Sequence, residues 1–99
     1  MKAREFLVCY DVGTLDADGE KRLRQVAKTC EGFGHRVQKS VFECLLTQVQ
    51  LRELIHALQP IIDPDADQID IYQLRDPLSA FTHRLGRQPA VDPRAPFVL

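Results

Sequence analysis

Three things this sequence lacks narrow the classes of function open to it. It has no apolar stretch of about 18 residues, the length a membrane-spanning helix needs, so no membrane partner is expected. Its N-terminus, Met1-Lys2-Ala3-Arg4-Glu5, opens straight into a strand, without the apolar core and cleavage site of a secretory leader. A cytoplasmic protein is the resulting expectation. The three cysteines (Cys9, Cys30 and Cys44) are odd in number and show no C-x-x-C spacing. Each falls on an apolar position, so they read as buried, reduced thiols.

Other absences are chemical. Net charge is −1, which gives no global electrostatic attraction to nucleic acid. The acidic run Asp63-Pro64-Asp65-Ala66-Asp67 is not an EF-hand loop, because Gln68 and Leu74 stand where that loop needs Gly and Glu. No R/K-G-F-G-F-V-like run marks an RNA-recognition module, which would stack bases on sheet aromatics. A ligand-sensing or purely structural dimer stays open by fold analogy alone.

What is present begins with Leu7-Val8-Cys9-Tyr10-Asp11-Val12. Strand side chains alternate faces, which puts Phe6, Val8 and Tyr10 on one side and Leu7, Cys9 and Asp11 on the other. A strand apolar on both sides is a central one, covered above and below. Asp11 ends it beside the loop Gly13-Thr14-Leu15-Asp16. One reading makes Asp11 a turn or cap residue bonding nearby backbone. The other makes it a metal ligand or catalytic acid.

Asp16 or Asp18 caps a helix whose apolar face is Leu23, Val26, Ala27, Cys30 and Phe33, and which Gly32 and Gly34 stop. His35–Ser40 and Val41–Leu46 read as two strands joined by a bend near Lys39-Ser40, or as one bulged strand. Thr47-Gln48-Val49-Gln50 has the form of a capping box. Leu51, Leu54, Ile55 and Leu58 continue as a second helical face, ended near Gln59 by Pro60, with His56 exposed. Gln68–Leu74 is a fourth strand, with Ile69, Ile71 and Gln73 on one face. Residues 76–99 form a proline-rich arm after a domain spanning 1–75. Leu78, Phe81 and Leu85 suggest a helical turn there, and the chain finishes on Phe97-Val98-Leu99.

Charge is segregated. Residues 21–39 carry six bases (Lys21, Arg22, Arg24, Lys28, Arg36 and Lys39) against one acid, Glu31. Residues 63–70 carry four acids and no base. The basic run is either a solvated helix face or a track for a phosphate backbone.

The order β-α-β-β-α-β gives an α+β class, a ferredoxin-like four-stranded antiparallel sheet with two helices on one face. Helices cover one face only, while the first strand is apolar on both. A second copy is therefore expected on the other face, in a two-fold homodimer.

The segments Tyr10-Asp11-Val12, Gly19 with Arg22–Cys30, Gly34–Cys44 with its R-V-Q-x-S-V-F-E run, and Asp67 through Leu74 resemble the CRISPR-associated protein 2 family across roughly residues 5–75. The resemblance implies a homodimer whose C-terminal arm adds a strand to the partner's sheet. It implies a magnesium-dependent endonuclease on RNA or DNA that takes part in spacer acquisition in antiviral defence. The alternative it implies is a non-catalytic nucleic-acid adaptor bridging dimers of the CRISPR integrase. The family's acidic strand-end residue falls on Asp11, with Tyr10, Phe42 and Arg36 as nearby supporting positions. On that basis two copies of Asp11 would share one Mg²⁺, and Lys21, Arg22, Arg24, Lys28, Arg36 and Lys39 would follow a phosphate backbone. Asp16 and Asp18 are set aside as caps, and Glu43 is expected on an exposed strand face.

Overall fold

A computed structural model describes residues 2–75, 77 and 82–87. The elements run β1 (Arg4–Asp11), α1 (Ala17–Glu31), β2 (Gly34–Gln38), β3 (Val41–Leu46), α2 (Gln48–Leu58) and β4 (Gln68–Gln73). The sheet order is β2-β3-β1-β4 with every neighbouring pair antiparallel, the ferredoxin-like arrangement expected from the element order.

β1 is central. It pairs with β3 from Arg4 opposite Leu46 to Cys9 opposite Val41, and with β4 from Phe6 opposite Gln73 to Asp11 opposite Gln68. Its alternation is decisive. Phe6, Val8 and Tyr10 are buried under the helices, with Phe42, Cys44 and Leu46 of β3 beside them. The helices contribute Val26, Ala27, Cys30, Leu54 and Leu58, and Ile69 and Ile71 of β4 pack against the same core. Burial drives the thiol of Cys30 up to about 11 and that of Cys44 up to about 12, so both stay protonated. Cys9, on the opposite face, is only half-buried, which departs from the expectation of three buried thiols.

Both helix starts are local chemistry. The Asp16 carboxylate accepts from the Gly19 N–H at 2.8 Å. The Thr47 hydroxyl accepts from the Gln50 N–H at 3.2 Å, and the Gln50 side chain accepts from the Thr47 N–H at 2.9 Å, completing the capping box. α1 ends at Gly32 in right-handed backbone, and Gly34 begins β2 instead of stopping the helix. Gly34 is required there for space: a Cβ would lie 2.4 Å from the Cys44 Sγ and 2.5 Å from the Glu43 carbonyl oxygen. The bend falls at Lys39-Ser40 as expected, and the register also shifts between Arg36 and Gln38, so turn and bulge coexist.

Glu43 corrects an expectation. It is 4% exposed, because residues from the arm reach the open face and Arg84 Nη2 donates to its Oε2 at 2.5 Å. Leu85 is exposed and not helical, while the rest of the expected turn and the Phe97-Val98-Leu99 end lie outside the described residues.

Candidate functional site: the end of the central strand

Asp11 projects on the face without helices, two positions on from Cys9. It is exposed, and its carboxylate has no hydrogen bond or ion pair among the described residues. The backbone just beyond it is held tightly. The Gly13 N–H donates to Asp67 Oδ1 at 3.0 Å, and Arg22 Nη2 donates to the Gly13 carbonyl at 3.4 Å. The side chain of Asp67 is fully buried. Its Oδ2 accepts from Arg22 Nε at 2.8 Å and from the Asp63 N–H at 2.8 Å. Burial works against the charge on Asp67, but the Arg22 guanidinium and two backbone donors outweigh it and hold the carboxyl below its usual range.

On the other face, at the same end of the sheet, three expected residues come together. The Arg36 guanidinium carbon lies 5.3 Å from the centre of the Phe42 ring. Tyr10 and Phe42 stack with centroids 6.1 Å apart at 29°. Arg36 Nη2 donates to the Tyr10 hydroxyl at 3.5 Å, and that hydroxyl donates to the Lys39 carbonyl at 3.1 Å. Burial raises the Tyr10 phenol above its usual value, against the pull of Arg36. The cluster pins the β2–β3 turn to the centre of the sheet. It does not meet Asp11, whose side chain is on the opposite face.

The basic residues divide. Lys21, Arg24 and Lys28 are exposed along one stripe of α1, with no ion pair among the described residues. Arg22 lies apart from them, one turn before buried Val26, and its guanidinium is engaged by Asp67. Arg36 and Lys39 border an open cleft of about 880 Å³ between Leu7 and Val41 of the sheet and the arm residues His83 and Leu85.

A hard cation such as Mg²⁺ takes oxygen ligands and is commonly held by one or two carboxylates with several waters. Asp11 suits such an ion in kind. Among the described residues no group of three or more His, Cys, Asp or Glu side chains gathers, so no ready-made cluster of ligands surrounds Asp11. The sequence reading missed Asp67. It lies in an acidic turn, and its partners Arg22 and Gly13 stand 45 and 54 positions away. The available signal was the register of Arg22, which follows Val26 rather than Lys21, Arg24 and Lys28.

A ferredoxin-like sheet whose central strand ends in one open carboxylate, with a stripe of exposed cations on the helix that follows, defines a class of small α+β proteins. The family model for CRISPR associated protein Cas2 matches residues 4–79. The chain is 45% identical over 93 residues to the CRISPR-associated endoribonuclease Cas2 1 of Moorella thermoacetica, covering 94% of this chain and 97% of that protein. It is 40% identical over 92 residues to the CRISPR-associated endonuclease Cas2 of Halalkalibacterium halodurans, covering 93% and 96%. A crystal structure of Streptococcus pyogenes Cas2 superposes with a TM-score of 0.76 at 44% identity, covering 83% of this chain and 99% of that one. The chain belongs to the Cas2 family.

Proposed function

We propose that this protein is a metal-dependent endonuclease cleaving phosphodiester bonds in RNA or DNA, working in CRISPR spacer acquisition as a cytoplasmic homodimer beside the integrase subunit. The observation that carries the reading is Asp11, exposed and unpaired at the end of the central strand, next to a backbone fixed from two sides. The printed names of the relatives from Moorella and Halalkalibacterium, an endoribonuclease and an endonuclease, support it.

The open sheet face supports the dimer. Leu45 is 51% and Tyr72 52% exposed there, beside half-buried Leu7, Cys9 and Val41. A two-fold axis through that face brings two copies of Asp11 near each other, and two carboxylates would hold one Mg²⁺. The ion, when bound, supplies a water of lowered pKa and stabilises charge on the phosphoryl oxygens. The protein's own part is to hold and orient. Asp11 provides the oxygen ligands. Lys21, Arg24 and Lys28, with Arg36 and Lys39, hold the phosphate backbone without reading bases.

Asp11→Asn tests the site. Cleavage with Mg²⁺ is expected to fall by about a hundredfold or more, with fold and dimer unchanged. Full cleavage by the variant removes Asp11 from the chemistry.

A second reading, a non-catalytic adaptor holding duplex DNA between integrase dimers, is favoured by the lack of a cluster of three or more metal-ligating side chains among the described residues and by the solvent-facing stripe of cations. A wild-type protein that binds duplex with strong salt dependence, yet cleaves neither RNA nor DNA with Mg²⁺, decides for the adaptor.

A further inference from the structure

Asp67 takes no part in the proposed chemistry, yet its carboxylate ties together three segments of the protein. Its two oxygens accept from three segments: Gly13 after β1, Arg22 in α1, and Asp63 in the turn before β4. Arg22 closes the circuit by donating to the Gly13 carbonyl. Gly13 is thus bonded on both its N–H and its C=O. It is also confined sterically. A Cβ on Gly19 would lie 1.9 Å from the Gly13 carbonyl oxygen, so the first turn of α1 is pressed against this residue. A Cβ on Gly13 itself would lie 3.2 Å from the Ala66 carbonyl oxygen.

The rest of the loop is loosely held by comparison. Thr14 is exposed, and Leu15 is fully exposed at 105%. The path from Asp11 into α1 is therefore fixed at Gly13 and again at the Asp16 cap, with a solvated tip between. Moving Gly13 moves the end of β1, two residues away.

We propose that Asp67 and Arg22 form a clamp that positions Asp11 by immobilising Gly13. Arg22 is then a positioning residue and not a phosphate contact. The clamp rests on the reading of Asp11 as the residue at the reacting end. The geometry explains why a buried carboxylate is useful here. Charge-assisted bonds are the stronger kind, and a buried carboxylate with every lone pair occupied is stiff and intolerant of a missing partner. A misplacement of about 1 Å in a reacting group can cost a hundredfold in rate.

The test uses the full chain with Asp67→Asn and, separately, Arg22→Gln, which break the clamp from opposite sides. Leu58→Ala serves as a destabilised control with the clamp intact. The first readout needs no catalysis: amide exchange at Gly13 relative to Phe33, whose N–H donates to the Cys30 carbonyl in the turn after α1. The ratio is expected to rise about tenfold in both clamp variants and to stay constant in the control. With an RNA or DNA substrate and Mg²⁺, well below each variant's Tm, kcat is expected to fall about ten- to a hundredfold. KM and the salt dependence of nucleic-acid binding are expected to hold. An unchanged Gly13 ratio in either variant overturns the clamp. A salt slope reduced by about one in Arg22→Gln, with kcat kept, overturns it too, since Arg22 would then contact phosphate. Full cleavage by Asp67→Asn beside an inactive Asp11→Asn overturns the positioning role alone. Full cleavage by Asp11→Asn, in which the clamp is untouched, instead overturns the reading of the site.

Discussion

The two faces of one sheet solve different problems with alternate residues of the same strands. Beneath the helices, Phe6, Val8, Phe42 and Leu46 are each at most 2% exposed, a closed apolar core. On the open face the neighbours of those residues are only partly covered: Leu7, Cys9 and Val41 are half-buried, and Leu45 is 51% exposed. The open face also carries charge. Asp11 ends it, Asp70 borders Cys9, and Glu43 is buried there with Arg84 bonded to it. One face completes the fold from within a single chain. The other keeps apolar surface and acids available, as the proposed homodimer and its site would require.

The comparison is broken most directly at adjacent residues of β3. Leu46→Ala removes a side chain 2% exposed and is expected to cost about 2–5 kcal/mol in urea denaturation. Leu45→Ala, next to it on the open face, is expected to cost about 0.5 kcal/mol or less when the protein is dilute. Equal losses would mean that the two faces are equally closed within one chain.

A smaller effect sharpens the end of the sheet, where Asp11 leaves one face and Gly13 is clamped. The carboxyl of Asp67 sits below its ordinary value of 3.8 in the folded protein. A lowered carboxylate stabilises the fold above the unfolded-state value, and that contribution is lost as pH falls through the folded one. Tm is therefore expected to drop below about pH 4, more steeply in the wild type than in Asp67→Asn. Parallel acid limbs in melting curves of the two proteins would count against the network.

The least perturbing probe is thiol labelling without denaturant. Half-buried Cys9 should react with iodoacetamide before Cys30 and Cys44, whose thiols burial raises to about 11 and about 12. Labelling of Cys9 should slow as protein concentration rises, because a second copy would cover it. Mass spectrometry of the labelled peptides reads both effects, and a rate independent of concentration would detach Cys9 from any dimer interface.

Much of this arrangement was legible in the chain. Period-two alternation in β1 placed Phe6, Val8 and Tyr10 together, and the spacing of Leu23, Val26, Ala27 and Cys30 marked the face of α1. Thr47 and Gln50 announced the start of α2. What misled was local inference about single charged residues. Glu43 alternates like an exposed residue, yet Arg84, 41 positions later, covers it. Arg22 sits in a basic run and reads as one of its cations, yet a buried acid 45 positions away holds it.

The sequence by itself determined the order of elements, their caps, the helix-covered face of the sheet and the place of Asp11 at a strand end. Those features follow from interactions within a few residues, where side-chain period and backbone geometry act directly. Only the tertiary structure decided which charges face solvent and which are consumed, and it alone joined Gly13, Arg22 and Asp67. Such pairings have no period. They depend on where distant loops meet once the sheet and helices have packed, and a buried carboxylate is tolerated only where that meeting supplies its donors.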